Sequence, residues 1–233
     1  MYVTAIVLAA GRGLRYKAKL SKPLLQINGQ PVIIYCLKII SSLSLVRDII
    51  VVANPQNLNR IKNKLKQYRI KKMSKVILGG QKRQDSVRNA LEVVDSRADF
   101  ILIQDGVRPF IDRNTVLEAI KEAKKYGAAI VGVPLKSTIK VVAGRRSQVA
   151  GNFMVKKTLD RNELWEIQTP QVFKKELILE AYKKFGDAKV TDDAMLVEKL
   201  GAKVSVVLGS YQNIKITTPE DLAIAKAIAK IRN

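Results

Sequence analysis

Short apolar runs alternate with helix-patterned stretches along almost the whole chain. Val3–Leu8, Asp48–Ala53, Lys75–Leu78, Phe100–Gln104, Ala128–Val133 and Lys203–Leu208 are rich in β-branched side chains, the pattern of strands covered on both faces. Between them lie segments with helical spacing. Residues 31–42 form the first, and Gln81–Val94 carries Val87, Ala90, Leu91 and Val94 on one face. A third has Asp112 as N-cap, apolar Val116, Ala119, Ile120 and Ala123, and Gly127 as its stop. Another runs from Asp192 to Leu200, and the last opens at Thr218-Pro219-Glu220-Asp221, with a cap, a proline at the first helical position and acids in the first turn. Such alternation predicts an α/β fold around a mostly parallel, twisted sheet with helices on both faces. One region breaks the rhythm: Lys136–Phe173 is strand-like without helix signals, with Gly144 and Gly151 as turn points, and reads as a β-arm projecting from the sheet.

At 233 residues, with no repeat or Ser/Pro-rich linker, the chain is expected to form a single domain over 1–233. The arm, at about 136–157, is the expected contact of a homodimer, although a local lid has the same pattern. No apolar run reaches the ~18 residues of a membrane span, and the start lacks the charged region of a signal peptide, so a cytoplasmic location with no membrane partner is expected. The formal charge of +22 points to anionic partners. Nucleic acid is disfavoured, because only 6% of residues are aromatic and none alternates with basic residues as a stacking platform requires. Arg60–Lys75 holds eight cations and no acid, and reads as a solvated, lysine-rich helix surface.

With one cysteine, Cys36, and no histidine, there is no intrachain disulfide, no Cys/His zinc site and no histidine-activated nucleophile. Cys36 sits in the apolar stretch VIIYCLKII and reads as a core thiol. Lys, Arg, Asp, Thr, backbone amides and a hard metal ion are left, a set suited to phosphoryl or nucleotidyl transfer. Directly behind the first strand, LAAGRGLRYKAKLSKP (8–23) carries Gly11, Gly13 and a run of cations beginning at Arg12. A dinucleotide fingerprint needs a third glycine where this chain has Tyr16, and a Walker loop needs Gly-Lys before Ser or Thr, so an anion-wrapping turn of another kind is implied. Ligands of open α/β sheets bind beyond the strands' carboxyl ends. There lie Arg83, Asp85 and Ser86 in GGQKRQDSV (79–87), and Asp105 and Arg108 in DGVRP (105–109). Thr138 and Lys140, Arg161, Thr169, Thr191 and Lys215 follow. Asp105 suits Mg²⁺, which takes one or two carboxylates plus substrate phosphates. Helix capping explains Asp192 and Asp193 equally well, and surface ion pairing Arg161 and Lys215.

Taken together, GxGxR with Lys22-Pro23, GGQKRQDSV, DGVRP, STIK, TLDRNELWEIQTPQVF, VTDDA and NIKITTPEDL resemble the 2-C-methyl-D-erythritol 4-phosphate cytidylyltransferases of non-mevalonate isoprenoid biosynthesis, over residues 3 to 225. The resemblance implies a single-domain Rossmann-like nucleotidyltransferase fold and transfer of CMP from CTP to methylerythritol phosphate with Mg²⁺. It implies that Ala9, Ala10, Gly11 and Gly13 wrap the triphosphate, while Gly80, Asp85, Ser86 and Asp105 bind the nucleoside and, at Asp105, the metal. Arg15, Lys22, Lys215 and Arg161 would carry catalysis, and Arg108, Thr138, Arg161, Thr169 and Thr191 the acceptor, some of them across the dimer. Ser21-Lys22-Pro23, Tyr16 and Gln104-Asp105-Gly106-Val107 depart from the family's usual strings, but their charged residues match. Two alternatives stand beside it: a ribitol 5-phosphate cytidylyltransferase, and, from another class, a basic nucleic-acid-binding protein.

Overall fold

The computed structural model of the protein describes residues 1–11, 21–143 and 153–232. In chain order the elements are β1 (Val3–Ala9), β2 (Gln26–Ile27), β3 (Gln30–Pro31), α1 (Val32–Ser42), β4 (Val46–Ala53), α2 (Leu58–Gln67), β5 (Met73–Leu78) and α3 (Arg83–Leu91). They continue through β6 (Phe100–Asp105), α4 (Arg113–Tyr126), β7 (Ala128–Pro134), β8 (Lys140–Val142), β9 (Val155–Thr158) and β10 (Trp165–Lys174). The last are α5 (Lys175–Phe185), α6 (Ala194–Lys199), β11 (Ser205–Leu208) and α7 (Pro219–Ile231). Seven strands form one sheet in the order β11-β7-β10-β6-β1-β4-β5. All neighbours are parallel except β10, which runs antiparallel to both β6 and β7.

The strands read as unbroken apolar runs because each has two covered faces. Along β1, Val3, Ala5, Val7 and Ala9 join one core and Ile6 and Leu8 the other, as the two-residue period of a strand requires. The first core takes its cover from α1, α2 and α4 through Leu37, Ile61 and Ile120. The second takes it from α3, α5 and α6 through Val87, Ile178 and Leu196. A smaller core joins Ile27 and Val32 to Ala225 and Ala229 of α7. Cys36 is fully buried, and burial pushes its thiol pKa up to about 12.

Local signals hold where they are strong. The Asp112 carboxylate accepts from the amides of Asn114 and Thr115, and Gly127 ends α4 at φ 89°. Asp221 accepts from the amides of Thr217 and Thr218 at 2.8 Å and so closes the start of α7.

The projecting arm over Lys136–Phe173 needs correction. Within that stretch, among the described residues, only β8 and β9 pair as a separate two-stranded ribbon, while Trp165–Lys174 lies inside the main sheet between β6 and β7. Pro170 and the polar Gln168, Thr169 and Gln171 disguise a central strand, where a proline without an N–H is unexpected. The pairing of β10 with β7 skips Thr169 and Pro170, so Pro170 sits in an irregularity of the ladder. The turn glycines Gly144 and Gly151 lie outside the described residues. Helix α5 has no counterpart among the expected helices, because it starts directly from β10 with no side-chain cap at Lys174. The lysine-rich surface is helical to Gln67, after which Arg69 and Lys72 at positive φ lead into β5.

Candidate active site

At the carboxyl end of β1, Ala9, Ala10 and Gly11 form one wall of a cleft of about 350 Å³, within the range of about 300–1,000 Å³ usual for ligand pockets. The wall is fixed by two asparagines after β4. Asn54 and Asn57 each accept the other's backbone N–H at 2.9 Å, and Asn57 Nδ2 donates to the Ala9 carbonyl at 3.0 Å and to Ser21 Oγ at 2.8 Å. The opposite wall is the turn into α3. Gly80 N–H donates to Ser86 Oγ at 3.2 Å, and Ser86 Oγ donates to the Lys82 carbonyl. A Cβ at Gly80 would fall on Asp85 Cβ, so this turn closes only around glycine. Lys22 completes the rim.

Asp105, the last residue of β6, stands at the bottom. Its Oδ2 lies 2.7 Å from Lys215 Nζ and 3.9 Å from Arg108 Nε, its Oδ1 lies 3.3 Å from Arg83 Nε, and its backbone N–H donates to Thr169 Oγ1 at 3.0 Å. Burial on its own raises a carboxyl pKa, but Arg83, Lys215 and Arg108 outweigh it and hold Asp105 well below the carboxylate range. Arg83 also reaches Asp193 Oδ2 at 2.7 Å, so the cluster sets three cations against two carboxylates and retains a surplus positive charge.

A second cleft of about 230 Å³ adjoins the first and shares Arg83, Asp105 and Lys215 with it. Its remaining lining comes from the turn after β6, from β10 and from the approach to α6, including Arg108, Thr169 and Thr191. Arg108 is 5% exposed; its guanidinium donates to the Asn213 carbonyl at 2.7 Å, while Nε has no hydrogen-bond partner among the described residues. Asn213 in turn donates to Gln168 Oε1 and the Thr169 carbonyl, both at 3.0 Å, tying the NIKITTPEDL segment to β10.

The family model for 2-C-methyl-D-erythritol 4-phosphate cytidylyltransferase matches residues 3–231. The chain belongs to this family. It is 44% identical to the 2-C-methyl-D-erythritol 4-phosphate cytidylyltransferase of Caldanaerobacter subterraneus subsp. tengcongensis over 229 residues, covering 97% of this chain and 98% of that one. With that of Geobacillus thermodenitrificans it shares 42% over 234 residues, 100% of this chain and 99% of the other. Among solved structures, 4-diphosphocytidyl-2C-methyl-D-erythritol synthase from Anaerococcus prevotii superposes with a TM-score of 0.84 at 33% identity, over 98% of this chain and 96% of that one. The cytidylyltransferase from Francisella tularensis gives 0.79 at 30% identity, over 98% and 100%. The sheet is thus that of a Rossmann-like cytidylyltransferase.

Within this cytidylyltransferase fold, Ala9, Ala10, Gly11, Lys22, Gly80, Ser86, Asp105 and Lys215 meet at the first cleft, and Arg108, Thr169 and Thr191 at the second. Gly13 and Arg15 lie outside the described residues. Asp85 does not line the cleft: its carboxylate accepts from the Lys82 N–H at 2.9 Å and shapes the turn. Thr138 and Arg161 are exposed and line neither cleft; Arg161 donates to the Lys136 carbonyl at 3.0 Å at the foot of the ribbon. Asn54, Asn57 and Tyr182 carried no sequence signal, since a lone amide or phenol is common anywhere and only packing brings it to the site; Gln168, Gln171 and Asn213 fall within the QTPQ and NIKITTPEDL strings, but only packing shows what they hold. Of the hard oxygen donors that a Mg²⁺ ion takes, the site offers few of its own. Asp105 supplies one ionised carboxylate, and no cluster of three or more Asp, Glu, His or Cys among the described residues holds an ion by itself.

Proposed function

We propose that this protein transfers CMP from CTP to 2-C-methyl-D-erythritol 4-phosphate, releasing pyrophosphate, with CTP in the first cleft and the acceptor in the second. The observation that carries this reading is the wall of Arg83, Asp105 and Lys215 common to both clefts, because one charge cluster then faces the α-phosphate and the acceptor phosphate together. An acceptor phosphate oxygen attacks the α-phosphorus in line as the bond to the β-phosphate oxygen breaks. The acceptor is already an anion at neutral pH, so no general base is needed, in keeping with a chain that has no histidine. The barrier is the approach of two polyanions, and Lys22, Lys215 and Arg15 lower it by neutralising charge that develops at the α-phosphate and on pyrophosphate. Asp105 holds Lys215 in place and, with the triphosphate, would hold Mg²⁺, whose contribution is further charge neutralisation. Gly80 and Ser86 approach the cytosine and ribose.

Arg161 and Thr138 contact the acceptor only if a second copy brings its ribbon over the cleft. A homodimer built through β8 and β9 supplies them, and the exposed Phe153, Met154 and Val155 at the start of β9 are the apolar surface such a dimer covers. No helix among the described residues is long and apolar enough to cross a membrane, and a cytoplasmic location agrees with this reading. A coupled pyrophosphate-release assay tests it, with methylerythritol phosphate and ribitol 5-phosphate as acceptors and with CTP and Mg²⁺. Turnover is expected with the first acceptor; turnover with ribitol 5-phosphate alone would overturn the assignment.

A further inference from the structure

We infer that Asp193, steadied by Tyr182, is a positioning residue for this reaction: it fixes the Arg83 guanidinium against Asp105 at the wall between the two clefts. The inference rests on the cytidylyl transfer proposed above. Asp193 is 1% exposed and its carboxylate is fully engaged, Oδ1 by the Tyr182 hydroxyl at 2.6 Å and Oδ2 by Arg83 at 2.7 Å. Its place at the start of α6 suggests a helix cap, but it makes no side-chain capping bond. Asp192 does that work, accepting from the Met195 N–H at 3.1 Å. Two adjacent acids therefore divide the tasks, and Asp193 has no local duty that explains a buried charge.

Burying a carboxylate is costly unless it is paired. Here the pair points into the site. Arg83 is the first residue of α3 and lines both clefts. Without Asp193 it would touch Asp105 through a single contact of 3.3 Å, with the plane of the guanidinium unset. Two carboxylates from different elements, β6 and the start of α6, set that plane, because a guanidinium presents its donors in a rigid fork. Tyr182 of α5 holds Asp193 from behind. Burial, and then the neighbouring Asp193 charge, push the Tyr182 hydroxyl above its ordinary range, so it remains a donor.

The test is steady-state kinetics of Asp193→Asn and Tyr182→Phe, each alone and in an Arg83→Lys background, with melting temperatures measured alongside. A misplaced charge near the chemistry costs on the order of 10- to 10²-fold. We expect kcat to fall by about 10-fold or more for Asp193→Asn and less for Tyr182→Phe. In each case the KM for CTP should move far less than kcat. Neither change should lower kcat further once Arg83 is lysine. If Asp193→Asn fails to fold, Tyr182→Phe, which keeps the ring, carries the comparison. Equal factors in both backgrounds, or kcat within about twofold of the parent, overturn the positioning role while leaving the reaction intact. A wild-type protein that turns over neither acceptor overturns the reaction and the positioning role with it.

Discussion

Single side chains at the cleft differ in how far the fold depends on them. Lys22 lies at the rim, in a short turn where Pro23 and Leu24 supply the packing. Lys22→Ala is therefore expected to leave the melting temperature unchanged and to lower kcat by about 10²–10³-fold, the cost of removing one charge-stabilising donor. A near-normal kcat would exclude it from the reaction. Asp105 is different, because its partners stabilise its charged form in the folded state. Its pKa is lowered on folding, so its contribution is present above the unfolded value of about 3.9 and is lost as pH falls below it. Cys36 works in the opposite sense. Its folded pKa, pushed up to about 12, exceeds the unfolded value, so stability that is intact below about pH 8.5 is lost as pH rises towards 12. Comparison of the wild type with Cys36→Ala across that range should show the smaller alkaline loss in the variant, and native Cys36 should resist alkylation until the protein is unfolded.

Among elements, the turn from β5 into α3 is the tightest. A Cβ on Gly79 would stand 2.5 Å from both Ala10 Cβ and Ser86 Oγ, which belong to opposite walls of the first cleft. Gly79→Ala should therefore push those walls apart, lowering stability by about 1–3 kcal/mol, the usual cost of overpacking. CTP affinity by calorimetry should fall with it, and an unchanged affinity would show that the walls yield elsewhere. The pair GG at this turn is legible in the sequence. The reciprocal Asn54–Asn57 bonds that brace the facing wall are not, because their value comes from the Ala9 carbonyl, 48 positions away. Strand β10 is the element that sequence pattern places wrongly. Its polar side chains serve the site while its backbone pairs in the sheet: the Gln171 side chain donates to Asp192 and accepts from the Asp193 N–H, and Thr169 Oγ1 receives the Asp105 N–H.

For the whole molecule, among the described residues the ribbon of β8 and β9 forms a sheet separate from the main one, and Phe153, Met154 and Val155 at the start of β9 are 46%, 70% and 57% exposed. Sedimentation should find a dimer. Met154→Asp combined with Val155→Asp should yield monomers that bind CTP but lose acceptor kcat/KM, since Arg161 and Thr138 line neither cleft within one protomer. Monomeric variants with full kcat/KM would place the acceptor contacts in a single chain. The lack of histidine, the apolar runs of the parallel strands, and the charged motifs at their ends were all determined by sequence alone, because periodicity and residue chemistry are local properties. Tertiary structure decided which of those charges meet. Asp105 with Lys215, and Arg83 with Asp193, are separated by 110 positions each. Only the convergence of the end of β6, the starts of α3 and α6, and the segment before α7 brings such groups within hydrogen-bond reach, and only there does burial turn ordinary surface charges into a site.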